Sequence, residues 1–175
     1  MTKGNHKKAK NVLWAVVGVM AAVFVAVMLL PKGIQNPVEG CGKGSYNPNS
    51  FWHPWGNHNH RGIDIFAKKG TVVHPAIGGI VVFTGHNNLG GNIVCVLSSG
   101  FRLHYYAHLD RIDTHAGAFV NSKSVIGKVG NTGNAAKTPS HLHYSIASPI
   151  PQGDWRFDPK MPLFYINPIK ELEKQ

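Results

Sequence analysis

The sequence predicts an all-β domain, an antiparallel β-sandwich or open barrel, preceded by one transmembrane helix. Three observations carry that prediction. Short runs rich in Val, Ile and Tyr recur through the chain with Gly or Asn between them, at the spacing of about 8–12 residues that marks sandwiches and barrels. Twenty Gly and eleven Pro in 175 residues supply the turns such a fold needs. Nineteen consecutive uncharged residues stand near the N-terminus.

Residues 1–11 form a basic tail, with Lys3, Lys7, Lys8 and Lys10 and no acid. Residues 12–30, VLWAVVGVMAAVFVAVMLL, follow as the apolar stretch. As a helix it would be about 28 Å long, close to the hydrocarbon thickness of a bilayer. The positive-inside bias then keeps the tail in the cytoplasm. The chain is therefore expected at the inner (cytoplasmic) membrane as a single-pass protein, with the rest in the periplasm or outside the cell. A cleaved signal peptide would show a shorter apolar region and a small-x-small cleavage site. Met28-Leu29-Leu30-Pro31-Lys32 offers none, so the segment reads as a retained signal anchor.

Residues 31–50, rich in Pro, Gly, Asn and Ser, read as a linker. The strand candidates come next, at 62–66, 71–75, 79–84, 92–97, 101–109, 124–130 and 141–147. A domain over 51–150 holds them, and 151–175 is a C-terminal extension whose last residues suit one helical turn. The net charge is +10. The part beyond the tail lysines keeps +6, which suits attraction to anionic surfaces or plain solubility. The basic residues are scattered along an exported chain, so nucleic acid is not an expected partner.

Eleven histidines are the unusual feature of the composition. Side chains alternate along a strand. His60, Gly62 and Asp64 therefore share a face, with Ile63 and Ile65 turned to the core. His141 and His143 share a face opposite Leu142, Tyr144 and Ile146. By the same rule His104, Tyr106 and His108 share a face, and Leu103, Tyr105, Ala107 and Leu109 point inward. Two imidazoles and one carboxylate are the usual protein ligands of a catalytic zinc, with the fourth position left to water. A base for the water's proton and donors for a developing oxyanion complete such a site.

In order, the chain carries His60-x-x-x-Asp64, Tyr106-Ala107-His108-Leu109 and His141-x-His143, with Gly127-Lys128-Val129-Gly130-Asn131-Thr132-Gly133 just before the last. Over roughly residues 50–150 it resembles the lysostaphin-type zinc metallopeptidases, endopeptidases that cut peptide cross-links in bacterial cell walls. The resemblance implies a metallopeptidase domain that binds Zn2+ through His60, Asp64 and His143. It implies that His108 and His141 are the catalytic pair, one a base toward water and the other a stabiliser of developing charge. The implied substrate is a peptidoglycan peptide; protein partners are not indicated. Degenerate members of the family lose ligands and act as regulators. All five positions are filled here, so the expectation is an active enzyme. The alternative is a non-catalytic cell-wall-binding or hydrolase-activating module of the same fold.

Other features carry less. His6, His53, His74, His86 and His115 sit in no motif with a mechanism and read as surface or satisfied core residues. His58 lacks a suitably spaced carboxylate, and His104 is given only a minor supporting share at the site's edge. Phe51-Trp52-His53-Pro54-Trp55-Gly56 stands where the family has a shorter Phe-Gly turn, and Trp52 and Trp55 read as edge packing. The loops at 85–91 and 111–123, and the tail from Pro149, match no motif. Cys41 and Cys95 suit either a disulfide in an oxidising compartment or free thiols. A biotinyl- or lipoyl-type carrier is disfavoured, because no lysine sits at a hairpin tip in the required company.

Overall fold

The computed structural model describes residues 3–28, 33–56, 58–151 and 164–174. Helix α1 covers Lys3–Met28. The strands that follow are β1 (Pro54–Trp55), β2 (His58–Asn59), β3 (Ile63–Phe66), β4 (Val72–Val73), β5 (Gly79–Asn87) and β6 (Gly91–Leu97). After them come β7 (Leu103–Leu109), β8 (Arg111–Ile112), β9 (Phe119–Val120), β10 (Gly127–Lys128), β11 (His141–Ala147) and β12 (Tyr165–Ile166). Helix α2, Pro168–Leu172, closes the described chain, capped by the Asn167 side chain accepting from the Ile169 amide. Every ladder is antiparallel.

The main sheet runs β12-β11-β7-β6-β5-β9 and curls into a half-barrel; β4, β10 and β8 make a smaller sheet and β1–β2 a hairpin. Strand β11 organises the molecule. One edge pairs with β7, and the other takes β3 over its first half and β12 over its second. Leu142, Tyr144 and Ile146 point from β11 into the core beside Ile63 and Ile65, all at 0% exposure. The alternation read for β3 and β11 therefore holds.

For β7 the structure reverses the expected faces. His104 and Tyr106 lie buried on the core side, whereas Leu103, Tyr105 and Ala107 line the opposite groove. The register explains why Leu109 still reaches the core. Asn92 pairs with Leu109 but Val94 pairs with Tyr106, so β7 carries one extra residue there. His108 sits in that bulge at φ 62, in the left-handed region where β-bulges place a residue. The extra residue shifts the phase, turning His108 to the groove and Leu109 to the core.

The stretch read as linker contributes to the domain. Ile34, Val38 and Tyr46 are buried in the core, and the Gln35 amide donates to Ala76 O at 2.7 Å. Cys41 and Cys95 are free thiols. Burial pushes the Cys95 thiol up to about 11. The expected span 12–30 falls on α1 as far as Met28, and Leu29 and Leu30 lie outside the described residues. Among the described residues no helix is long and apolar enough to cross a membrane.

Candidate metal centre and active-site groove

The pairing of β3 with β11 sets Asp64 directly opposite His143, where facing side chains lie within reach of each other. Their atoms meet, with His143 Nδ1 at 2.9 Å from Asp64 Oδ1. His60 precedes β3 and reaches the same point, its Nε2 at 3.2 Å from Asp64 Oδ1 and 3.0 Å from His143 Nδ1. Gly62 makes this approach possible. A Cβ there would fall 2.5 Å from Tyr144 O and 2.8 Å from His143 Nε2. The expected trio is thus brought together.

Three lone-pair atoms aimed at one another repel unless a proton or a cation lies between them. All three lie within 4.8 Å of one another. They are two imidazole nitrogens and a carboxylate oxygen, a donor set that suits zinc. His60 Nδ1–H donates to Ser50 O at 3.0 Å, which fixes the tautomer and leaves Nε2 as the ligating atom. The side chains of His60, Asp64 and His143 remain 11%, 14% and 18% exposed, so an ion can reach them from the groove. Burial pushes the Asp64 carboxyl up, yet hydrogen bonds from His143 and His60 outweigh it and hold the group far below the usual carboxylate range. These residues fit the metal.

His108 and His141 stand beside the trio. Their rings are 5.0 Å apart at 64°, and His108 is 5.9 Å from the His143 ring. His141 Nε2 lies 3.8 Å from Asp64 Oδ1. Each ring donates its Nδ1–H to a backbone carbonyl, His108 to Thr132 O at 2.9 Å and His141 to Pro139 O at 2.8 Å. Nε2 is then the nitrogen left for proton transfer in both. Burial, followed by the neighbouring His141 and His143, lowers His108 to about 4, so it is neutral at pH 7.

The segment 127–133 braces this pair. The His141 amide donates to Gly130 O at 3.0 Å, and the Thr132 amide donates to His108 O at 3.4 Å. Thr132 Oγ1 donates to Leu109 O at 2.8 Å and accepts from the Asn92 amide at 2.9 Å. The groove above the site has a volume of about 550 Å³. Besides the histidines, Trp55, Leu89, Tyr105, Asn134 and Tyr165 line it. Trp55, read from sequence as edge packing, is 56% exposed with its ring 5.5 Å from that of His60. His104 does not join the site. Ser50, Thr132 and Pro139 act through backbone carbonyls, which leave no mark in residue identity. Tyr165 arrives by a two-residue strand too short to show a period.

Residues 58–159 match the profile of peptidase family M23. The chain belongs to that family. Over 85 residues it is 36% identical to the peptidoglycan DD-endopeptidase ShyC of Vibrio cholerae, a stretch that is 49% of this chain and 19% of that protein. The chain thus spans about a fifth of the length of this curated relative. Among solved structures, the catalytic domain of lysostaphin from Staphylococcus simulans superposes with a TM-score of 0.57 at 26% identity, over 74% of this chain and 89% of that one. A zinc-containing peptidase from Vibrio cholerae gives 0.56 at 25% identity, over 67% of this chain and 37% of that one. The M23 fold is this same mostly antiparallel, half-barrel sheet.

Proposed function

We propose that this M23 chain is a zinc endopeptidase that hydrolyses peptide cross-links of peptidoglycan, held at the cytoplasmic membrane by its N-terminal helix. The observation that carries the reading is the meeting of His60 Nε2, Asp64 Oδ1 and His143 Nδ1 in a groove that His108 and His141 also line. His60, Asp64 and His143 would hold the ion. When bound, zinc supplies Lewis-acid polarisation of the scissile carbonyl and a water acidic enough to react at neutral pH. The imidazoles of His108 and His141 handle the protons. One Nε2 accepts the proton of the attacking water, and the carbonyl bonded to its Nδ1–H supports the imidazolium that forms. The other, when its Nε2 carries a proton, donates that N–H to the charge that grows on the carbonyl oxygen. A protonated imidazole then returns its proton to the leaving amine.

The anchor rests on the sequence and on α1. Val12, Leu13, Trp14, Val19 and Met20 are 60% or more exposed along it, an apolar surface that lipid would cover. The run reaches 19 residues when Leu29 and Leu30 are counted, within the range of a membrane span. The N-terminal lysines orient it with the tail in the cytoplasm.

The test uses the full chain in detergent, supplied with zinc and incubated with purified peptidoglycan, with His60→Ala as control. Mass spectrometry of the muropeptides is expected to show cross-linked dimers converted to monomers by the wild type alone. An unchanged dimer pool would reject the endopeptidase and favour a wall-binding module.

A further inference from the structure

Arg61 follows His60 in the chain and lines the groove. Its guanidinium lies over the Tyr165 ring, 5.5 Å from the centroid, within cation–π range. Tyr165 is held in turn. It pairs with Ala147 on the edge of β11, and its ring sits 6.2 Å from that of Trp52. The C-terminal segment, which matched no motif, thus delivers an aromatic platform beneath a cation beside the metal centre.

Among the described residues no carboxylate lies within ion-pair distance of Arg61. Among the described residues the groove has one acidic side chain, Asp64, and the three histidines around it occupy that group. A guanidinium held over a ring face spends no N–H on a carboxylate there, and its planar fork of donors matches one. The contact with the ring also restricts the side chain before any ligand arrives, which lowers the ordering cost of binding.

We infer that Arg61, positioned by Tyr165, binds a carboxylate carried by the peptide substrate and so selects carboxylated over amidated peptides. The inference rests on the endopeptidase reading for the source of the peptide. Hydrogen bonds to a charged group in a groove discriminate by about tenfold or more.

The test is calorimetric binding of an uncross-linked peptidoglycan stem peptide to the zinc-loaded full chain. The peptide is used with free carboxylates, with its C-terminus amidated, and with its side-chain carboxylates amidated. One of the two amidations is expected to weaken binding to the wild type about tenfold, and to weaken binding to Arg61→Gln by less than about twofold. Arg61→Lys and Tyr165→Leu should retain part of the discrimination, and Tyr165→Phe all of it. Circular dichroism confirms that each variant is folded. Discrimination that survives in Arg61→Gln, or that is absent from the wild type, overturns the inference. Dimer cleavage is followed in the same preparations. Failure of cleavage with discrimination intact sinks the endopeptidase reading and leaves the carboxylate site standing.

Discussion

His104 and His108 lie four residues apart on β7, both buried and both held neutral, yet they belong to different parts of the molecule. His104 is 1% exposed and engages both ring nitrogens, Nε2 with Ser98 Oγ at 2.9 Å and Nδ1 with Tyr144 Oη at 2.7 Å. Burial and the nearby Arg102 charge lower it to about 3. His108, lowered to about 4, bonds only through Nδ1 among the described residues and faces the groove. Depressed basicity alone therefore does not separate a groove imidazole from a core one. What separates them is an uncommitted nitrogen that opens on the groove. The bulge at φ 62 creates that difference by turning one ring out of the strand's alternation.

The sharpest way to break this comparison is to remove the groove histidines. His108→Ala and His141→Ala are each expected to lower turnover by about 10²–10⁴-fold while zinc is retained, read from muropeptide release and metal analysis. Turnover surviving in His108→Ala would erase the distinction from His104. Next in size is stability. His104→Ala leaves Ser98 Oγ and Tyr144 Oη without their buried partner and opens a cavity, so unfolding by urea should be easier by about 3 kcal/mol. His108→Gly should stay within about 1 kcal/mol of the wild type, since relief of the left-handed backbone offsets the lost ring.

The pH dependence sharpens the same contrast. The His104 pKa is lower in the folded chain than in the unfolded one, so the unfolded state binds the extra proton between about pH 6.5 and 3. Its contribution is complete above that window and is lost as pH falls through it, with a slope approaching about 1.4 kcal/mol per pH unit. Replacing His104 by Asn should flatten the acid limb of the stability curve by that amount, measured as the difference between the two chains. An unchanged slope would mean that His104 is not held neutral in the core. The smallest effect belongs to the brace. Thr132→Val removes the hydroxyl shared by Asn92 and Leu109 and should cost about 1 kcal/mol with a measurable loss of turnover, because the same residue's carbonyl holds His108.

Strand β11 was legible because its two faces differ so plainly, with Leu142, Tyr144 and Ile146 against His141 and His143. Asp64 was legible for the same reason, with Ile63 and Ile65 marking its strand's core side. Strand β7 was not. Leu103, Tyr105 and Ala107 are apolar but face the groove, where they join Ile93 and Cys95 in a second small cluster. The buried face instead carries His104 and Tyr106, whose polar atoms find partners in Ser98, Tyr144 and the Ala76 amide, so polarity points to the wrong phase, and the bulge at His108 hides the change. The five site positions followed from the family resemblance that the ordered motifs carry, with strand alternation in support at β3 and β11. The contacts that orient them did not, because Ser50, Thr132 and Pro139 contribute carbonyls that any residue type would offer. The core role of Ile34, Val38 and Tyr46 was masked by the Gly, Pro and Asn around them.

The central claim is that His60, Asp64 and His143 form one metal site, and metal content tests it most directly. The zinc-loaded full chain, dialysed and analysed by plasma mass spectrometry, is expected to hold one zinc per chain. His143→Ala and Asp64→Asn should hold none, and His141→Ala should keep the full complement. Zinc retained by His143→Ala, or absent from the wild type, would contradict the account.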